Sequence, residues 1–298
     1  MNILLRLCAA LLLLAPLCPA QDDAAALRAA HPEWKLVFRD EFNGSSLNPN
    51  KWNRIEYLPG KVPDWRRYQS RDEELVTLNG DGTLSLWGKR GRYTSQDDPE
   101  GKAETYACGG IFTDKTFSFR YGYVEVRAKL RGARGAWPAI WMVPLKNDWP
   151  QSGEIDILER LHNEAGIYQT IHFNNAEGRH QSISTGGGGK ARFSSEADMN
   201  DFHTYAVGWT KEAITFYMDG RETLRCPRQP NNPNWPFSKG NKRFYLLLDM
   251  QLGGNWVGAI GDLGEGAEMQ LDYVRVYAAP GMYSITKPAK NKKRPRRR

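Results

Sequence analysis

Residues 153–159 read Gly153-Glu154-Ile155-Asp156-Ile157-Leu158-Glu159, three carboxylates set among three large aliphatic side chains. A strand sends successive side chains to opposite faces, so Glu154 and Asp156 share one face while Ile155 and Ile157 share the other. Strict alternation would then put Leu158 on the acidic face and Glu159 on the apolar one. One extra residue between Asp156 and Glu159, a β-bulge, returns Glu159 to the acidic face and Leu158 to the core. The stretch therefore predicts a bulged strand with a buried apolar side and a carboxylate side turned to a cleft.

Three like charges on one strand face repel each other and do nothing for stability. Chemistry gives them a purpose. Crowded carboxylates cannot all ionise, so one keeps a proton near neutral pH and can act as an acid. Glycoside hydrolysis needs such a set, one carboxylate to attack the anomeric carbon and one acid to protonate the leaving oxygen. Allowing for the bulge, Glu154 and Glu159 are roughly 13 Å apart along the backbone. Leaning side chains bring the carboxyls to about 5–6 Å, the retaining geometry. The competing reading is an exposed acidic edge with no chemistry.

Outward from this stretch the chain keeps a β rhythm. Tyr121–Leu130 alternates, with Val124, Val126, Ala128 and Leu130 on one face and Tyr123, Glu125, Arg127 and Lys129 on the other. Leu36–Phe38, Thr83–Leu86, Ile167–Phe173, His203–Trp209, Ile214–Met218, Glu222–Leu224, Phe244–Leu252 and Leu271–Tyr277 read as further strands. Asp219-Gly220 is a hairpin signal. Many short strands with Gly-rich turns predict an all-β fold, a two-sheet sandwich or jelly roll. The expected organisation is a signal peptide over residues 1–20, a lead-in over 21–33, a single domain over 34–279 and a basic tail over 280–298. The lead-in is Ala-rich and reads as a short helix or a loose segment.

Residues 1–20 carry Arg6, a Leu/Ala-rich run and small residues at the end, the pattern of a secretory signal, so a secreted or periplasmic location is expected. A lipoprotein reading at Cys18 is weaker because bulky Leu17 precedes it. No later stretch is apolar enough to span a membrane. Beyond the signal, Cys108 and Cys226 are the only cysteines, either paired or buried as free thiols. The formal charge of +7 misleads. Without the eight basic residues from Lys287 to Arg298 and without Arg6, 32 basic residues face 34 acidic ones. The globular part thus has no basic footprint for nucleic acid. The tail either adheres to anionic surfaces or is a solvated end.

Ten Trp and 13 Tyr give the second constellation. Trp137 and Trp141 precede the acidic stretch, Trp149 lies in the loop between, and Gly253-Gly254-Asn255-Trp256 can present a ring from a loop. Sugars offer apolar C–H faces to such rings, although a Trp-rich core is the plainer reading for any one of them. His172 faces the cleft beside Glu159 or is an ordinary sheet histidine. No Cys/His cluster, phosphate loop or nucleophile elbow is present.

Together WKLVFRDEFNG, YGYVEVRAKLRGARGAWPAIWMVP, GEIDILE, LLLDMQLGGNWVG and LDYVRVY make the chain resemble glycoside hydrolase family 16 from Trp34 to Tyr277. The resemblance implies a concanavalin-like β-jelly roll with a concave substrate cleft and a retaining double displacement. It implies Glu154 as nucleophile, Glu159 as acid/base and Asp156 as the residue that tunes the nucleophile, with Trp137, Trp141, His172, Gln251 and Trp256 against substrate. The bulged spacing resembles the laminarinase, agarase and carrageenase branches, and the flanking motifs resemble β-1,3 and mixed-linkage glucanases. The implied activity is that of a monomeric endo-β-glucanase with a β-glucan partner. The alternatives are a galactan hydrolase, a transglycosylase or a non-catalytic glucan-binding protein. One departure is that Asp249, Met250 and Gln251 stand where many laminarinases have Asn, Leu and Ala. No cofactor is needed for the chemistry; the family's convex-side calcium would match Glu41, Gly82 and Asp272, with backbone oxygens contributing.

Overall fold

The computed structural model describes residues 22–58, 62–95 and 98–286. The expected signal segment and the basic run from Lys287 lie outside the described residues. In chain order the strands begin with β1 (Lys35–Asp40), β2 (Asn53–Arg54), β3 (Val76–Leu78), β4 (Leu84–Arg92), β5 (Glu104–Cys108) and β6 (Gly110–Phe112). They continue with β7 (Phe117–Phe119), β8 (Gly122–Arg131), β9 (Ala136–Pro144), β10 (Glu154–Glu159), β11 (Tyr168–Asn174) and β12 (His180–Ser184). The last are β13 (His203–Trp209), β14 (Ala213–Met218), β15 (Arg221–Pro227), β16 (Phe244–Leu252), β17 (Ala267–Ala278) and β18 (Tyr283–Ile285).

They form two antiparallel sheets packed face to face as a jelly roll. The outer sheet runs β15-β14-β13-β8-β17-β4-β3, with β1 and β5 attached, and the cleft sheet runs β12-β11-β10-β9-β16-β6-β2, with β7 and β18 attached. Between them lies one apolar core. Val124, Val126, Ala128 and Leu130 reach it from β8, and Ile140, Met142, Ile155, Ile157, Leu158, Ile171, Phe173, Leu246 and Leu248 from the cleft sheet. The outward face of the cleft sheet carries a separate cluster of Ile55, Ala139, Trp141, Val143 and Leu247. The cleft sheet is therefore apolar on both sides in its centre, which is why β9 and β16 read as near-continuous hydrophobic runs rather than as alternation.

The lead-in takes the helical one of its two expected forms, and strand pairing continues past residue 279. The lead-in is a helix, α1 (Asp23–Ala29), capped by the Asp22 side chain accepting from Ala25 N–H. It adds Ala24 and Leu27 to a cluster with Tyr123, Ala206 and Tyr217 on the outer face, so it belongs to the domain. The domain also runs past residue 279, because β18 pairs with β7. A three-residue strand is too short to show a period, so this pairing had no sequence signal. The Asp219-Gly220 hairpin is as expected, both residues taking positive φ between β14 and β15. Cys108 and Cys226 are both buried and free.

Candidate active site

The acidic strand is built as its sequence requires. In β10, Asp156 pairs with Trp141 and Thr170, whereas Glu159 pairs with Ala139 and Tyr168, so the register slips between them. Ile157 and Leu158 both go into the core, and Glu154, Asp156 and Glu159 emerge on the cleft face. One inserted residue thus gathers three carboxylates that strict pleating would separate.

Neighbouring strands then divide the site into two ends. At the Glu159 end, Trp137 from β9 donates its indole N–H to Glu159 Oε1 at 3.0 Å. Trp256 meets Trp137 edge-on at 5.1 Å, and Tyr168 at the same distance, while keeping 47% of its surface exposed. At the Glu154 end, His172 lies directly across from Glu154 in β11. Its Nε2 is 3.3 Å from Asp156 Oδ2, and its Nδ1 is 2.9 Å from His180 Nε2 on β12. Trp149 tilts against both imidazoles. His172 therefore faces the cleft, but beside Glu154 and Asp156 rather than Glu159: counting along one strand could not reveal which acid a neighbouring strand would set opposite.

Burial is what disturbs the acids most. It pushes Glu154 and Glu159 well above the usual carboxylate range, with the charge of Asp156 adding to the effect at both. Asp156 is itself pushed up to about 7 by burial, against a downward pull from its hydrogen bond with Glu154. Burial lowers His172, leaving it a neutral ring near pH 7. Among the described residues no Lys or Arg lies within 4 Å of these carboxylates. The trio consequently holds a proton near neutrality, the condition for one member to donate while another attacks.

Not every expected binding residue lines open space. Trp141 is almost fully buried, covered edge-on by Trp65 and tied through its indole N–H to Asp249 Oδ1 at 2.8 Å. Gln251, opposite Trp137, is also buried, its Nε2 donating to Asp249 Oδ1 at 3.3 Å. Both therefore support the floor from beneath. Sequence reasoning missed Trp65, Tyr168 and His180 because only tertiary packing brings them here. Asp249 did leave a signal, an acid inside the apolar run Leu246-Leu247-Leu248-Asp249-Met250.

At the corner expected for calcium the two side-chain acids are already paired. The Glu41 carboxylate forms a two-pronged pair with Arg275, and Asp272 pairs with Arg127. Gly82 lies near the Glu41 carbonyl and Asn43 Oδ1, leaving mainly neutral oxygens at that corner. No group of three or more His, Cys, Asp or Glu side chains suited to a metal ion occurs among the described residues.

The sequence profile of glycosyl hydrolases family 16 matches residues 69–274. The chain belongs to this family. It is 34% identical to glucan endo-1,3-beta-glucosidase A1 of Niallia circulans, over 81% of this chain and 37% of that protein. It is 32% identical to the keratan-sulfate endo-1,4-beta-galactosidase of Sphingobacterium multivorum, over 86% of this chain and 58% of that protein. The family 16 chain thus spans between about a third and three-fifths of these two relatives. Among solved structures, the laminarinase from Rhodothermus marinus superposes with a TM-score of 0.65 at 30% identity, covering 82% of this chain and 97% of that one. A structure described with endo-acting O-glycanases of the human gut microbiota that initiate mucin breakdown gives 0.66 at 29% identity, covering 82% and 100%. No helix among the described residues is long and apolar enough to cross a membrane.

Proposed function

We propose that this family 16 chain is an endo-acting, retaining β-glycoside hydrolase whose substrate is a β-1,3 or mixed β-1,3/1,4-glucan. The observation that carries the reading is the single bulged strand that puts Glu154, Asp156 and Glu159 on one cleft face without any paired Lys or Arg. In this reading the Glu154 carboxylate attacks the anomeric carbon. Glu159, protonated and held by the Trp137 N–H, gives its proton to the leaving oxygen. The glycosyl–Glu154 ester then breaks when Glu159, now a base, takes a proton from water. Asp156, between the two acids and beside His172, steadies the charge on Glu154 as it changes. Trp256 and Tyr168 offer the exposed aromatic edge along which a sugar chain can lie. The signal-like residues 1–20 add export to the proposal.

A second reading, a chain containing β-linked galactose, draws on a particular feature of the floor. Asp249 accepts from Trp141, Gln69 and Gln251, which sets a buried, hydrogen-bonded carboxyl into the floor. The similarity to a keratan-sulfate galactosidase and to mucin-initiating O-glycanases supports it. The deciding experiment is a panel of laminarin, barley glucan, keratan sulfate, mucin O-glycans, agarose and carrageenan, with product linkages identified. Internal cleavage of laminarin or barley glucan is expected. Cleavage confined to keratan sulfate or mucin glycans would establish the second reading, and no cleavage of any member would overturn both.

A further inference from the structure

Asp249 is a buried carboxylate of the cleft sheet that the reaction just described leaves unused. Its Cα partner in β9 is Ala139, and Ala139 is also the partner of Glu159 in β10. The two acids therefore stand in one lateral row on the same sheet face, with an alanine between them and roughly 10 Å between their backbones. Asp249 is fully buried, and its oxygens meet only donors. Trp141 Nε1 and Gln251 Nε2 donate to Oδ1 at 2.8 and 3.3 Å, and Gln69 Nε2 donates to Oδ2 at 3.1 Å. With the two amides turned this way the N–H groups favour the ionised form, while the unpartnered Oε1 atoms of Gln69 and Gln251 could accept from a protonated one. Arg66, over the same face, favours the ionised form too. The buried Cys108 thiol is the other titratable neighbour. Around Glu159 stand Asp156 and Glu154 on its own strand, Tyr168 across β11 and Asp249 across β9.

We propose that Asp249 is a positioning residue, a caged carboxylate whose charge acts across Ala139 to keep Glu159 in its proton-donating form. The proposal rests on Glu159 being the acid/base of the reaction. Burial raises Glu159 most, followed by Asp156 and Glu154, and Asp249 acts in the same direction. Burial pushes Asp249 itself up to about 7, so the proposal requires Asp249 to ionise before Glu159 gives up its proton. Two unit charges about 10 Å apart at an effective dielectric near 20 change a proton affinity by about tenfold. An Asn at this position would lack that charge.

The test is a ¹³C-carboxyl NMR titration of the whole chain and of Asp249→Asn, with Glu159 assigned by the signal lost in Glu159→Gln. The Glu159 midpoint should fall by about one pH unit in Asp249→Asn, and the alkaline limb of kcat/KM should move down with it. A loss of packing alone would lower the melting temperature without moving that midpoint. An unmoved or raised midpoint overturns the proposal. Should Asp249→Asn not fold, the unaltered protein still decides, because Asp249 must ionise before Glu159 and the reverse order overturns the idea. The underlying assignment is checked separately with Glu159→Ala, whose kcat/KM should be spared for aryl glycosides with activated leaving groups and lost for those with poor ones. Equal loss on both would remove the acid/base role and this proposal with it.

Discussion

The two sheets of this domain treat their outward carboxylates in opposite ways. On the outer sheet Glu125 meets Arg28 at 3.2 Å and also accepts from Tyr123 and Tyr273. Glu41 is clamped by Arg275, Asp272 by Arg127, and Glu268 lies 3.7 Å from Arg131. On the cleft sheet Glu154, Asp156, Glu159 and Asp249 have no such partner among the described residues, and neutral N–H groups or a neutral imidazole stand in for cations. Half-exposed paired acids are cheap to keep and contribute little each. Buried unpaired acids are costly, and a fold retains them where their protons have work to do. The contrast separates acids held in ion pairs from acids left without cations, the set to which the proposed reaction is assigned.

The largest expected effect comes from removing the attacking group. Glu154→Gln should lower kcat by about 10⁴-fold or more with the fold intact, because an amide of the same size cannot form the glycosyl ester. Asp272→Asn on the outer sheet should leave kcat within about twofold. Comparable losses from both would erase the distinction between the sheets.

Next in size is the aromatic edge at the Glu159 end. Trp256→Ala should weaken oligosaccharide binding by roughly 1–3 kcal/mol, read as a higher KM, since it removes a half-exposed stacking surface. Its melting temperature should change little. A variant that melts much earlier yet cleaves normally would assign that ring to structure.

Stability against pH sharpens the same contrast. Burial holds Glu159 well above its unfolded value of about 4.3, so over the interval between them the folded state binds more protons than the unfolded chain. Stability from this group is full below the unfolded value and is lost as pH rises through the interval. Glu159→Gln should therefore gain on the parent in melting temperature from pH 5 to pH 8, by a few degrees. A constant difference over that range would mean that Glu159 titrates as an ordinary acid. Asp272→Asn should give the smallest effect, a loss of about 0–1 kcal/mol that shrinks with added salt.

Much of the fold, and the gathering of three carboxylates on one face, was legible in local sequence. GEIDILE encodes its own bulge, since only an inserted residue reconciles Leu158 in the core with Glu159 on the cleft. The alternation of Tyr121–Leu130 likewise predicts β8, and Asp219-Gly220 its hairpin. What escaped depends on partners far apart in the chain. Nothing in the spacing of Trp65 shows that it will cover Trp141, or that His172 will sit across from Glu154 and pass a hydrogen bond to His180. The strands β9 and β16 blur the period because both of their faces are apolar. Short strands such as β18 exist only through their pairing, and nothing in the Ala-rich lead-in shows that Leu27 will meet the outer sheet.

In the proposed reaction Glu154 and Glu159 act on one face as nucleophile and acid/base. Following the anomeric proton by ¹H NMR during the first minutes of cleavage of a β-linked glycan tests it most directly. The β-anomer should appear first and the α-anomer only later by mutarotation. An α-anomer as the first product would mean that water attacks directly, and it would contradict the assignment of Glu154.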